Sequence, residues 1–509
     1  MQRKVLTRRD FVKASGATLA LMTMTPRSFG VQARSRRLDW DTFKSTAAFP
    51  SFVRGIGAMR DNKDATDRRS WAYWVNSHLN YCPHGIAYFL AWHRGYVYYF
   101  EQYLRMVSGN PGLMLPYWDY YKNPRIPREF TDAAPSNPLY VERINNDVTE
   151  ALTAAPFAAD VLNFPRGTIN AFEPSVERKP HDPVHDIIGG VMTTMQSPFD
   201  PIFWLHHANI DRLWVAWVAA GGGRRMPSPT SPYWLGAFTY GPGLTMGRYL
   251  TINCHAQMNY EYENEAFPAV IVTPTAQVLR AVPGARSGNA IGSTPLQRSH
   301  AISRPPVLTT LQPSGQRPTD STRFSVGGVR AIQLDENPVS ANIQIDPSTP
   351  LRLQEIVDAD MTRRRQQASF AEPLTSGGAA IQIVLDEIRL TALGEGGGYF
   401  YHIYLNMPAS AEATFLEANN LLGSIGSFAI LSALHHSMKL HDHARGAMSA
   451  QSGAARLTFP ATHLLAGVPF ESLKDVTISF VRVSGEHAPT GVVITIGEMR
   501  MEISNDGVE

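Results

Sequence analysis

Four stretches carry apolar and aromatic residues at helical spacing, around 71–78, 86–107, 181–195 and 203–220, and predict helices. Residues 283–328 differ in character. Gly, Pro, Ser and Thr dominate there, dotted with Arg, which reads as a linker or long surface loop. From about residue 380 the pattern turns to short runs of strand character at 381–393, 399–405, 427–434, 476–483 and 492–503, punctuated by Gly and Pro. That pattern predicts a β-sandwich of about 130 residues. The expected organisation is a leader over 1–33, a mainly α domain over 34–270, a connecting segment over 271–375 and a C-terminal β-domain over 376–509. No internal repeat is visible.

Composition changes this picture at the N-terminus. Thr7-Arg8-Arg9-Asp10-Phe11-Val12-Lys13 resembles a twin-arginine export signal, and Val31-Gln32-Ala33 is a suitable small-residue cleavage site. The apolar run between them, 17–24, is well short of the roughly 20 residues a membrane span needs. Export by the twin-arginine route, to the periplasm or beyond, is therefore expected, and such export implies a protein folded with its cofactor loaded. Six of the 46 basic residues and one of the 44 acidic ones lie in this segment. The formal charge of +2 falls to about −3 once it is removed, so nucleic acid is not an implied partner. A chain of 509 residues exceeds one ordinary core, and 44% hydrophobic with 18% charged residues fits globular domains rather than disorder.

Candidate chemistry lies in the histidines. Two cysteines exclude a disulfide-stapled scaffold and any Cys-rich metal site, whereas sixteen histidines offer many ligands. His78, His84 and His93 form one group. A spacing of nine puts His84 and His93 half a turn out of phase, so they cannot share a face of one straight helix. Cys82-Pro83-His84-Gly85 instead reads as a loop that folds His84 back toward His93. His181 and His185, at i and i+4, share a helical face and can grip one metal. His206 and His207 are adjacent and point about 100° apart on a helix, so one of the two is expected as a ligand, and apolar spacing does not choose between them. Two all-imidazole groups suit copper, zinc, iron or nickel.

Segments 81–94 and 200–214 resemble the binuclear copper family of tyrosinases, catechol oxidases and molluscan haemocyanins. Leu115-Pro116-Tyr117-Trp118-Asp119 and Tyr260-Glu261-Tyr262 match supporting elements of the same family. The resemblance implies a four-helix core, with one copper held by His78, His84 and His93 and a second by His181, His185 and His207. His206 and Asp211 would then stand behind the ligands. The spacing of six between His78 and His84 is shorter than is usual in the family. Cys82 stands where several members link a cysteine to the histidine ring, which implies a thioether to His84. A disulfide to Cys254 is the alternative in an exported chain. Glu177 resembles the glutamate that orients a water for phenol deprotonation. Asp182 stands where many tyrosinases have Asn, a departure, since an ionised carboxylate accepts but cannot donate. Thr194 matches the position over the copper pair and implies an open mouth.

The activity implied is O₂-dependent hydroxylation of monophenols and oxidation of o-diphenols, with o-aminophenols as further substrates. The alternatives are catechol oxidation alone or a haemocyanin-like O₂-binding protein. Partners are limited to the phenolic substrate and O₂, with no membrane span. Segments 399–405, 423–434, 476–485 and 492–503 resemble the C-terminal β-domain of plant-type polyphenol oxidases, which implies a domain that covers the site until proteolysis. Arg286, Arg298, Arg304 and Arg317 would offer cleavage points. His435, His436, His441 and His443 read as a surface patch or a minor metal site.

Overall fold

The computed structural model describes residues 34–268, 301–367, 378–444, 453–466, 468 and 473–505. The leader 1–33, Arg286 and Arg298 lie outside the described residues. Within them, no helix is long and apolar enough to cross a membrane.

The N-terminal domain is built on helices α1 (Phe49–Asp61), α2 (Trp71–Tyr81), α3 (Phe89–Ser108), α4 (Asp182–Ile188) and α5 (Ile202–Ala219). Ser70 starts α2: its hydroxyl accepts the Tyr73 N–H at 3.1 Å, satisfying one of the first-turn amides. Helix α5 is buried on nearly every face from Ile202 to Trp217, which marks it as the central helix of the bundle. Tryptophans fill the space around it: Trp71, Trp74, Trp204 and Trp214 are all buried. The domain is closed by a parallel pairing of its two ends, β1 (Ser35–Arg37) with β2 (Tyr260–Tyr262).

The C-terminal domain is a sandwich of two antiparallel sheets. One has strands β3 (Arg323–Leu334), β5 (Ala380–Leu390), β8 (Ala455–Pro460) and β10 (Ile494–Ser504), in the order β8-β5-β10-β3, extended by two short pieces at Gln312–Ser314 and Arg317–Pro318. The other has β4 (Val339–Gln344), β6 (Tyr399–Leu405), β7 (Leu421–Gly426) and β9 (Asp475–Ser484), in the order β7-β6-β9-β4. Strand alternation on β6 decides how the domains meet. Tyr399, Tyr401 and Ile403 face the sandwich core, while Phe400 points the other way, into the core of the helical domain.

The sequence expectation of a helical domain followed by a β-sandwich holds, with three corrections. The helix expected over 181–195 stops at Ile188, because Gly189 turns with φ 73°. A Cβ there would lie 2.5 Å from Ile144 and 2.8 Å from the Gly396 carbonyl, so the turn and the approach of the second domain both need glycine. The run 427–434, read as a strand, opens helix α7 (Ser427–Ala444). A short apolar run looks alike in both states, and here the helix is started from outside, as described below. Finally, the segment 271–375 is not only a connector. It supplies β3, β4 and helix α6 (Pro350–Gln367); the paired glycines at 327–328 hide the strand alternation.

Candidate metal centre and its cover

His78 comes from α2, His93 from the first turns of α3, and His84 from the loop between them; all three are buried. Their rings lie within 5.1–5.7 Å of one another, centroid to centroid. The loop reverses through left-handed residues Gly85 (φ 71°) and Tyr88 (φ 77°), which brings His84 back over α3. The short spacing of six between His78 and His84 is thus spanned by a compact turn.

The second group gathers His181, His185, His206 and His207, again all buried. In each group one nitrogen of each histidine, together with the Cys82 sulfur in the first, falls within 4.8 Å of the others. The groups meet directly. The rings of His93 and His207 stack at 4.2 Å and 16°, and His84 faces His181 at 5.6 Å. They form one centre with two halves.

Hydrogen bonding fixes which nitrogen points inward. His78 Nδ1–H donates to the Met195 carbonyl at 2.7 Å, His93 Nδ1–H to the Phe89 carbonyl at 2.8 Å, and His185 Nδ1–H to the Met192 carbonyl at 2.6 Å. A carbonyl can only accept, so the proton sits on Nδ1 and Nε2 carries a bare lone pair. Among the described residues, His185 Nε2, both nitrogens of His206 and His207 Nδ1 have no hydrogen-bond partner although buried. Burial first, and mutual repulsion next, hold the imidazoles of His84, His181, His206 and His207 neutral; burial brings His93 and His185 down to about 3. Neutral imidazoles with an oriented Nδ1–H and an unsatisfied lone pair are the donor set of a metal site. His206 belongs to the same group, its ring 5.0 Å from His185, 5.2 Å from His181 and 5.7 Å from Tyr120, whereas His207 lies against His93 and Phe203, each at 4.2 Å.

The Cys82 sulfur lies 3.2 Å from His84 Nδ1 and 3.8 Å from Nε2, so it faces the ring edge between them. No disulfide joins Cys82 to Cys254. Glu177 is buried and fully engaged: Oε1 accepts the Gly85 N–H at 2.7 Å, pinning the His84 loop, and Oε2 accepts from Arg166. Burial raises its carboxyl above the usual range, opposed by Arg166. Asp182 meets His181 Nδ1 at 2.8 Å, so its contact is with a histidine of the centre. Asp211 lies behind the site, ionised between Arg94 (2.6 Å) and Arg37 and accepting from the hydroxyls of Tyr260 and Tyr262 at 2.6 Å each.

The Thr194 hydroxyl closes its own turn, donating to the Val191 carbonyl and accepting from the Gln196 N–H. The residue standing over the histidines is Phe428, from α7 of the other domain. Its ring stacks on His185 at 4.1 Å and 20°, and meets His84 edge-on at 5.1 Å and His181 at 5.5 Å. The Phe428 N–H, in the first turn of α7, donates to Asp186 Oδ1 at 2.7 Å, so a carboxylate of the helical domain starts a helix of the β-domain. Nothing in the local sequence of 427–434 signals this, because the partner is 242 residues away. Of the distal histidines, His435 Nε2–H donates to the Leu79 carbonyl at 2.6 Å, a seam contact. The side chains of His441 and His443 lie outside the described residues.

Residues 59–163 and 126–220 match the family model for the common central domain of tyrosinase. Tyrosinase HcTyr1 of Hahella sp. is 34% identical over 197 residues, covering 31% of this chain and 42% of the relative. Catechol oxidase B of Solanum tuberosum is 29% identical over 229 residues, covering 33% and 38%. Hemocyanin 1 of Megathura crenulata is 30% identical over 157 residues, covering 27% of this chain and 4% of that one. The chain spans less than half the length of each of these relatives. The structure of latent apple tyrosinase aligns over 93% of this chain and 97% of that one, with a TM-score of 0.50 at 17% identity, a likeness of fold across both domains.

Proposed function

We propose that this chain, which carries the central domain of the tyrosinase family, is an exported copper-dependent phenol oxidase kept latent by its own C-terminal domain. The observation that supports it most is the pair of histidine groups joined through the stacked rings of His93 and His207, with Nδ1 of His78, His93 and His185 tied to carbonyls. His78, His84 and His93 would hold one copper, and His181, His185 and His207 the other. The binuclear type-3 copper pair supplies O₂ activation and the oxidation of phenols to o-quinones.

This chain's residues supply position, protons and exclusion of water. Asp182 orients His181 through Nδ1, and Asp211 locks α5 to α3 by way of Arg94. Glu177 is the base closest to the task of taking a phenol proton, directly or through water, and its raised carboxyl favours proton acceptance. Phe428 covers the ring of His185, where a flat phenol would otherwise lie. The substrates proposed are o-diphenols and monophenols, with o-aminophenols as further candidates. One observation favours a narrower reading, catechol oxidation alone. Both oxygens of Glu177 are already engaged, and Asp182 replaces the amide that would share the water.

The test is to load the protein with copper, supply tyrosine, a catechol and an o-aminophenol in air, and repeat after limited proteolysis. Oxygen consumption with all three, appearing on cleavage, supports the full proposal. Consumption with the catechol but not tyrosine selects the narrower one. An oxygen-binding absorption band without turnover would make the protein a carrier, and no band with no turnover would end the copper reading.

A further inference from the structure

A cavity of about 750 Å³ opens where the two domains meet, and none of the metal-centre histidines lines it. One wall comes from residues 154–179 and 267–268 of the helical domain, the other from α6 and β7 and from residues 460–464 of the β-domain. Five cations line it: Arg166, Arg178, Lys179, Arg363 and Arg364. Among the described residues, the lining carboxylates are two, Asp160 and Asp360.

Those cations are unequally compensated. Arg166 is spent on Glu177. Arg364 is held by Asp360 at 2.6 Å and by Asn170. Asp360 is therefore only a distant partner, at 3.9 Å, for Arg363. Arg178 makes no ion pair among the described residues, and its guanidinium lies 5.9 Å over the Phe459 ring. Burial and the neighbouring Arg166 bring Arg178 down to about 10, outweighing the opposing pull of Glu177 and Asp182. Most of the rest of the lining is apolar, with Phe157, Ile169, Leu421, Leu422 and Leu464 prominent, and Thr168, Asn170, Ser175, Thr462 and His463 add polar groups.

A cavity of this volume, mostly apolar with a few convergent charges, has the make-up of a small-molecule site. We propose that it binds a small organic anion, a carboxylate on an apolar body. The charged head lies in the field of Arg178, Lys179 and Arg363, and the body rests on Phe157, Ile169, Leu421 and Leu422. A bare inorganic anion would leave the apolar wall uncovered, and a neutral molecule would leave Arg178 uncompensated. Because the walls belong to both domains, the ligand also ties the domains together.

Calorimetric titration of the copper-loaded full chain tests this with three probes: octanoate, octanamide and inorganic phosphate. Octanoate is expected to bind at one site, at least about tenfold more tightly than octanamide or phosphate, and to raise the melting temperature. Arg178→Gln and Arg363→Gln are each expected to weaken octanoate about tenfold while leaving copper content unchanged. Arg363 sits on the partly exposed helix α6, so its variant keeps the test open if Arg178→Gln fails to fold. Equal binding of octanoate and octanamide would overturn the proposal, as would unchanged octanoate affinity in a folded variant. Phosphate binding as tightly as octanoate would overturn the apolar half. None of these outcomes depends on phenol oxidation.

Discussion

The ring of Phe428 lies 4.1 Å from the imidazole of His185 and within 20° of parallel to it. A residue of the β-domain therefore covers that face of His185, on which, under the proposed function, a phenol would stack. Shortening it should open the site without cleavage. Phe428→Ala is expected to raise catechol oxidation by the uncut, copper-loaded chain about tenfold or more, and to lower stability by about 3 kcal/mol for the buried ring removed. Oxygen-electrode rates before and after proteolysis decide it. An uncut variant as silent as the wild type, yet activated by protease, would show that the cover acts elsewhere.

The seam can also be forced without touching that ring. A Cβ on Gly426 would come within 2.1 Å of the Asp186 carboxylate, so no side chain fits while Asp186 holds the first turn of α7. Gly426→Ala should push the domains apart, giving partial activity uncut and a melting temperature several degrees lower. A fully latent protein of unchanged melting temperature would contradict the close packing.

Copper content can separate the adjacent histidines. His207→Asn is expected to leave one copper per chain, whereas His206→Asn should retain two, measured by atomic absorption after dialysis. The reverse outcome would exchange their roles.

The position of Cys82 against the ring edge of His84 leads to a mass prediction. The copper-loaded protein should weigh about two hydrogens less than its sequence, reduction should not restore them, and Cys82→Ser should abolish the deficit. Restoration by reductant would mean a disulfide, against the separate placement of Cys254.

Glu173 sets a pH dependence of stability. It is buried, accepts the Leu90 N–H at 3.3 Å at the start of α3, and burial raises it to about 7. An acid raised in the fold favours folding while protonated. Its contribution is present below about 4.5, its unfolded value, and is lost as pH rises through about 7. Glu173→Gln should flatten the fall in unfolding free energy across that window, by up to about 3 kcal/mol. Denaturant titrations at pH 4.5, 6 and 7.5 measure it, and an unchanged slope would remove Glu173 as the cause.

What could be read from the sequence was what is local. The i,i+4 pair His181 and His185, the loop around His84, and the helices carrying His78, His93 and His207 follow from spacing and turn chemistry within a few residues. Phe428 could not be read, because its meaning depends on Asp186 and His185 in another domain. The state of α7 was misjudged for the same reason: the group that starts it lies across the seam. Asp182 drew attention as a departure, but only its distance to His181 shows what it touches. The strands hidden in 323–344 were lost because glycines interrupt their alternation.

The pairing of β1 with β2 has a consequence in time. Arg37 is fully buried between Glu101 and Asp211, and its guanidinium donates to the Tyr262 hydroxyl at 3.0 Å. Those partners are separated from it by as many as 225 residues. A ribosome adding about 5–20 residues per second needs on the order of 10–45 seconds to cover that distance. Through that interval the first strand has no neighbour to pair with and Arg37 lacks Tyr262. The domain that holds the histidines is therefore completed only when its last strand emerges, and its N-terminal edge stays open to chaperones until then.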